Sequence, residues 1–271
     1  MRLKIQSVNY YRAIKPDICD KIISLGLSKL EDLRKKGLST KGMTRNQIEK
    51  KDFNQNKSNV RKVEGTAIND KWVYDLFTPL IEDANKKAGW NWYIDAAENF
   101  QFIVYEGSKE NGGFYGWHCD GFSDFNSAYK PAIKINNDPI RFKQPKRNKE
   151  NKIILDKNGK PEADTSVEDL PLNNNRSGLD PNFSDTMVLW GKVRKISMTV
   201  NLSDPNKYEG GNLKLDLGPD FKDDERYKVF DDIRPQGSVI FFPSFTNHCV
   251  TPVTSGTRYS LVLWCLGKPW Q

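Results

Sequence analysis

From residue 91 onward the chain is cut into short apolar runs, and nearly every gap between them holds Gly or Pro. The runs fall at 91–106, 113–119, 194–203, 210–217, 226–233, 237–242, 247–254 and 257–266. Gly112-Gly113, Gly210-Gly211, Pro235, Gly237, Pro243 and Gly256 punctuate them, Gly210-Gly211 reading as a hairpin turn. Many short strands separated by turn signals fit an antiparallel sandwich or barrel, which closes or covers its sheet edges. Helical periodicity is confined to the first third. Leu3, Ile5, Val8 and Tyr10 suggest an early strand, and Asp17–Lys36 reads as a helix with Ile18, Ile22, Leu25, Leu30 and Leu33 on one face and Gly37 as its stop. Residues 39–58 are polar and read as loop, and Val60–Ile68 as a strand. Asn69 or Asp70 can cap a second helix that buries Trp72, Leu76, Leu80, Ile81 and Ala84 and ends at Gly89. Helices followed by strands predict an α+β chain. Residues 1–90 would form an N-terminal strand with supporting helices and 91–271 the β core, together one structural domain.

One segment breaks the rhythm. Residues 121–193 are rich in Asn, Lys, Asp and Pro, and 130–160 holds ten Lys or Arg against three Asp or Glu. A structureless stretch of this length is uncommon unless it covers or binds something, so it reads as an insertion in the core. A hairpin is expected at NKIILDKNGKPEA, turning at Asn158-Gly159. The net charge of +7 suits either an anionic partner or a surface of solvated lysines. The four cysteines, Cys19, Cys119, Cys249 and Cys265, form no CxxC pair, which disfavours a zinc ribbon or a redox dithiol. The opening MRLKIQSVNYYR lacks the apolar core of a secretory signal, and no apolar run approaches the ~18 residues that span a bilayer. A soluble, cytoplasmic protein with free thiols is expected.

The chain has only two histidines, His118 and His248. In GGFYGWHCDGF, residues 112–122, strand alternation turns His118 and Asp120 the same way and Cys119 the other. His248 follows an apolar strand and the Pro243-Ser244 turn. Two imidazoles and one carboxylate on one face of a metal leave three positions open, the arrangement of non-haem Fe(II) oxygenases, and the lack of thiolate argues against structural zinc. Arg258 lies on an apolar strand among Tyr259, Leu261, Val262 and Leu263, where a guanidinium needs an anionic partner. Its planar fork suits a carboxylate.

These pieces resemble the 2-oxoglutarate/Fe(II)-dependent oxygenase superfamily, with the nearest likeness to its prolyl 4-hydroxylase-like branch. The likeness rests on YGWHCD (115–120), SMTVNLSDPNKYEGGNLKL (197–215), GSVIFFPSFTNHCVTPVTSGTRYSLVLW (237–264) and the upstream ENFQFIVYEG (98–107), about half of the chain and in the family's order. It implies a double-stranded β-helix (jelly roll, cupin-like) core. His118, Asp120 and His248 would be the iron ligands, and Arg258 would pair with the distal carboxylate of 2-oxoglutarate. Ser260 and Asn201 would assist there, Tyr105 would hydrogen-bond the co-substrate with Tyr115 nearby, and Trp264 and Trp117 would wall the pocket. Fe(II), 2-oxoglutarate and O2, with ascorbate as an accessory, are the implied cofactors. The implied reaction couples decarboxylation of 2-oxoglutarate to succinate and CO2 with hydroxylation of an unactivated C–H, first a prolyl residue in a protein or peptide. Two departures stand out. The gap of 127 residues between Asp120 and His248 exceeds that of compact members, and collagen-type enzymes often carry lysine where this chain has Arg258. Oxidation of alkylated nucleic-acid bases is the rival enzyme reading. The basic charge suits it, yet Trp264 stands where that branch carries a second arginine. A metal-free jelly-roll binding module would leave the His/Asp/Arg grouping idle, and a zinc hydrolase would have no use for Arg258.

Overall fold

Alternation in the central strands sets the architecture. Along FQFIVYE at 100–106, Phe100, Phe102 and Val104 enter one apolar cluster, while Ile103 and Tyr105 enter a second. A strand with two buried faces sits between layers, and here those layers are the supporting helices on one side and a second sheet on the other. The computed structural model describes residues 3–38, 40–41, 61–121, 141–142, 146, 148, 154, 157, 162, 170–171, 192–219, 221–268 and 270.

In chain order the elements are β1 (Val8–Tyr10), α1 (Pro16–Lys35), β2 (Arg61–Lys62), β3 (Glu64–Ile68), α2 (Lys71–Lys87), β4 (Ala96–Ala97), β5 (Phe100–Glu106), β6 (Phe114–His118), β7 (Arg141–Phe142), β8 (Leu170–Pro171), β9 (Val193–Asn201), β10 (Tyr208–Gly210), β11 (Leu213–Asp216), the one-turn α3 (Asp223–Arg226), β12 (Tyr227–Val229), β13 (Val239–Pro243), β14 (His248–Val250) and β15 (Val253–Gly267). The larger sheet runs β1-β13-β9-β15-β5-β3, with β10 and β4 also pairing β15. The smaller runs β12-β11-β14-β6-β2. Every pairing within these two sheets is antiparallel, and the fold is a double-stranded β-helix, or jelly roll. Residues Met1–Phe122 and Arg194–Gly267 form one compact unit, so the N-terminal helices belong to the same body as the strands. Ser123–Val193 with Lys268–Gln271 forms a second unit. In it β7 pairs β8, Ile154 donates its N–H to Lys146 O and Glu162 donates to Ile154 O. The Asn158-Gly159 turn lies outside the described residues. None of the described helices is long and apolar enough to cross a membrane.

Three local readings change. The run 60–68 is not one strand: β2 pairs β6 in the smaller sheet, β3 pairs β5 in the larger, and Val63 is buried between them. Helix α2 buries Val73, Phe77 and Ala84 most deeply, while Trp72, Leu76, Leu80 and Ile81 only flank the core. The buried stripe is narrow because a single sheet face lies beneath it, and ring contacts of Phe77 and Tyr74 with Phe100 set its rotation. Gly210-Gly211 is not a hairpin turn. It carries the chain from β10 on the larger sheet to β11 on the smaller, with φ of 73° and 63° that favour glycine.

Helix α1 approaches the sheet closely at Gly26, where an added Cβ would meet the Phe102 ring at 2.4 Å. That ring is fully buried and stacks on Tyr259 at 5.8 Å, so it has nowhere to retreat. Alanine's helix preference gains about 1 kcal/mol over glycine, whereas overpacking a core costs about 1–3 kcal/mol. Gly26→Ala is therefore expected to lower stability by up to about 2 kcal/mol, seen as a lower urea midpoint at constant m. A raised midpoint would contradict this packing.

Candidate functional site

The two histidines meet because their strands are neighbours in register: β14 pairs β6 with His248 opposite His118. Two residues on, Val250 faces Tyr115, so β6 carries one extra residue at Gly116-Trp117. That bulge explains why Tyr115, an odd number of positions from His118, stacks on its ring at 3.5 Å between centroids. Beyond the strand end, Cys119 turns away and donates to Phe245 O at 3.2 Å, which returns Asp120 to the histidine side.

His118 Nε2 lies 3.6 Å from Asp120 Oδ1, and His248 Nε2 lies 3.5 Å from Asp120 Oδ2. One ligand atom from each of the three lies within 4.8 Å of the others. A carbonyl can only accept, so His118 Nδ1 donates to Gly116 O at 2.7 Å and His248 Nδ1 donates to Thr246 O at 2.9 Å. With Nδ1 so occupied, each ring is oriented to bind a metal through Nε2, which faces Asp120, as metal-ligating histidines do. Burial pushes the His248 imidazole below its ordinary value, against the pull of Asp120. Burial works to raise the Asp120 carboxyl, but the imidazoles of His248 and His118, with Arg194 behind them, outweigh it and hold it far below the carboxylate range. A neutral imidazole and an ionised carboxylate are the forms a metal requires. This donor set, two nitrogens and one carboxylate without sulfur, fits a divalent iron with open positions.

Arg258 pairs with Tyr105 across β15 and β5, and its guanidinium lies 5.1 Å over the Tyr105 ring. It is 3% exposed, its Nη1 has no hydrogen-bond partner, and among the described residues no ion pair neutralises it. Gly211 makes room for it, since a Cβ there would meet Arg258 Cδ at 2.8 Å. A buried cation without a counter-charge costs several kcal/mol and is expected to be met by an anion. That fits a dicarboxylate co-substrate. Burial raises the Tyr105 phenol above its usual value although Arg258 opposes the shift, so it remains a donor at neutral pH.

Tyr105, Tyr115, His118, Asp120, His248 and Trp264 line one cavity, closed by Ile103, Met198, Leu213, Phe242, Val250 and Val262 with Arg61 and Thr199. Arg258 borders a smaller cavity of about 10 Å³ with Asn201 and Gly211. The Asn201 amide donates to Ser203 O at 3.0 Å and to Arg234 O, and its Oδ1 has no partner. The Ser260 hydroxyl is held within the sheet, donating to Val200 O at 3.1 Å with Thr199 Oγ1 3.0 Å away. Trp117 does not line the cavity. It is exposed and packs near Tyr227 at 5.4 Å.

Sequence reading passed over Glu98, Arg194, Ser197, Ser244 and Arg61. Arg194 grips Glu98 through two bonds of 2.5 and 2.8 Å, donates to Asp120 O at 3.0 Å and stacks over Trp264 at 4.0 Å. Ser197 donates to Asp120 Oδ2 at 2.7 Å. Arg61 lies over Tyr115 at 4.6 Å. A signal was present in β9, where Lys195, Ser197, Thr199 and Asn201 alternate with apolar residues. All four are buried, at 6, 0, 8 and 1% exposure, so this polar face lines an interior rather than meeting solvent.

Residues 183–266 match the family model described as 2OG-Fe(II) oxygenase superfamily. The match contains His248 and Arg258. The strand bearing His118 and Asp120 lies outside it and is joined to it by the fold. A PKHD-type hydroxylase of Synechococcus sp. (strain CC9605) is 44% identical over 71 residues, covering 26% of this chain and 29% of the relative. The PKHD-type hydroxylase YbiX of Escherichia coli O1:K1 / APEC is 39% identical over 69 residues, 26% of this chain and 27% of the relative. The aligned stretch thus spans under a third of these curated relatives. Among solved structures, a Pseudomonas putida prolyl-4-hydroxylase aligns with a TM-score of 0.50 at 12% identity, over 97% of this chain and 92% of that one. A Trichoplax adhaerens prolyl hydroxylase, in complex with a hypoxia inducible factor oxygen degradation domain peptide fragment, aligns with a TM-score of 0.51 at 14% identity, over 97% and 84%. The chain thus shares a jelly roll with these prolyl hydroxylases, and the second half of its barrel, under a third of its length, is similar to the 2OG-Fe(II) oxygenase superfamily.

Proposed function

We propose that this protein is an Fe(II)- and 2-oxoglutarate-dependent dioxygenase that hydroxylates an unactivated C–H, first of all a prolyl residue in a protein or peptide. The observation that carries the reading is the convergence of His118 Nε2, His248 Nε2 and Asp120 in the same barrel as a buried, uncompensated Arg258. Bound iron and 2-oxoglutarate supply the oxygen activation, with release of succinate and CO2, and ascorbate as the accessory reductant belongs to the same proposal. His118, Asp120 and His248 would hold the metal on one face. Arg258 would hold the distal carboxylate through paired N–H donors, and the protonated Tyr105 phenol would donate to the same co-substrate. Phe242, Val262 and Trp264 keep the cavity apolar and exclude water from the reacting centre. Asn201 and Ser260 would act by fixing strand β9 beside Arg258. The substrate class draws support from the neighbours named as prolyl hydroxylases, one of them with a peptide bound. The free thiols Cys19, Cys119, Cys249 and Cys265 agree with a cytoplasmic setting.

The test is succinate release by protein reloaded with Fe(II) under saturating 2-oxoglutarate. Pro-containing peptides are expected to raise it above the uncoupled background, and the same peptides with Pro replaced by Ala are not. Stimulation by methylated single-stranded DNA alone would overturn the substrate assignment. No 2-oxoglutarate consumption with iron bound would overturn the activity.

A further inference from the structure

Asp120 is held on three sides by groups from outside its own strand. Ser197, fully buried on β9, donates to Oδ2 at 2.7 Å. The Ser244 hydroxyl, fully buried just past the end of β13, lies 3.0 Å from the Ser197 hydroxyl and is bonded to it. Ser244 also binds the backbone beyond the ligand, its carbonyl accepting from Gly121 N–H at 2.9 Å, while its own N–H donates to Lys195 O at 2.9 Å. Arg194, anchored by Glu98, donates to the Asp120 carbonyl at 3.0 Å.

The two carboxylate oxygens are therefore not equivalent. Oδ2 already accepts a short charge-assisted bond from an immobile hydroxyl. Oδ1 accepts no hydrogen bond from β9 or β13 and lies 3.6 Å from His118 Nε2, while Oδ2 lies 3.5 Å from His248 Nε2. We propose that Ser197, backed by Ser244, is a positioning residue that commits Asp120 to bind metal through Oδ1 alone. Binding through both oxygens would spend one of the positions that a chelating co-substrate and dioxygen need. With Oδ2 tied to β9, the carboxylate cannot rotate to offer both. This inference rests on the reading of His118, Asp120 and His248 as the metal ligands.

The experiment uses Co(II) as a visible probe on apoprotein of the full chain, titrated against a competing chelator. In Ser197→Ala, Co(II) affinity is expected to fall about 10–100-fold, the loss typical of removing a hydrogen bond to a ligand. At saturation its d–d spectrum should shift, as the freed carboxylate changes denticity. Ser197→Thr keeps a hydroxyl and should restore both affinity and spectrum. A merely structural role would lower stability but leave the saturated spectrum unchanged. A crystal structure of Co(II)-loaded wild-type protein needs no variant: Oδ1 on the metal with Oδ2 still bonded to Ser197 is expected. Coordination through Oδ2 or through both oxygens, or a Ser197→Ala protein identical to wild type in affinity and spectrum, overturns the inference and leaves the metal site standing. Failure of the wild type to bind Co(II) overturns the metal site itself, and this inference with it.

Discussion

His248→Ala is expected to abolish Fe(II) retention and to reduce 2-oxoglutarate turnover to background. In the proposed site His248 would supply one of three protein ligand atoms among the described residues, and the chain has only one other histidine, His118. The affinity loss should exceed the roughly 10–100-fold that follows when a residue merely supporting a ligand is removed. The substitution leaves a small void beside Phe242, whose ring meets His248 edge-on at 4.8 Å. Circular dichroism and a denaturant midpoint should therefore show a folded protein with modestly reduced stability. Metal content after gel filtration, together with succinate release, checks the outcome. Wild-type levels of bound iron in a folded His248→Ala protein would remove the histidine from the coordination sphere.

The second large effect separates stability from function. In Arg258→Met, the Fe(II)-bound protein is expected to need at least about 30-fold more 2-oxoglutarate for half saturation. Truncating one partner of a buried hydrogen-bonded charge pair costs about 2–5 kcal/mol, and each 1.4 kcal/mol is about tenfold in affinity. Without the co-substrate the sign reverses. Arg258 is then a buried charge with an unpartnered Nη1, and an apolar side chain of similar length is neutral or stabilising. The apoprotein's melting temperature should hold or rise, while Arg258→Lys, which keeps charge but loses the fork, should fall between the two in affinity. Anaerobic titration of the weak visible Fe(II)–2-oxoglutarate band measures the first quantity and a thermal scan the second. An unchanged co-substrate requirement would assign Arg258 to some other anion.

Much of this was legible in the chain itself because strand chemistry is local. The two-residue period turned His118 and Asp120 one way and Cys119 the other, and the apolar neighbours of Arg258 marked it as buried. What was not legible required knowing which strands face each other. Ser197 and Thr199 gave no site signal, because polarity at every second position cannot distinguish water from a polar-lined interior. The split at Val63 was hidden because both halves have strand propensity and only the pairing partners, β6 and β5, differ. Gly210-Gly211 read as a hairpin because glycine signals a turn without saying to which sheet the chain returns.

The support given to the three proposed ligands differs in kind. Each imidazole is aimed by a main-chain carbonyl two residues before it, at Gly116 and at Thr246. No side-chain replacement elsewhere can delete those acceptors, so the ring orientations are insulated from most single-codon change. The carboxylate is steadied instead by the side chains of Ser197 and Arg194, which a single substitution at either position can remove. Substitutions that loosen the proposed metal site without touching its ligands should therefore fall chiefly on the aspartate side.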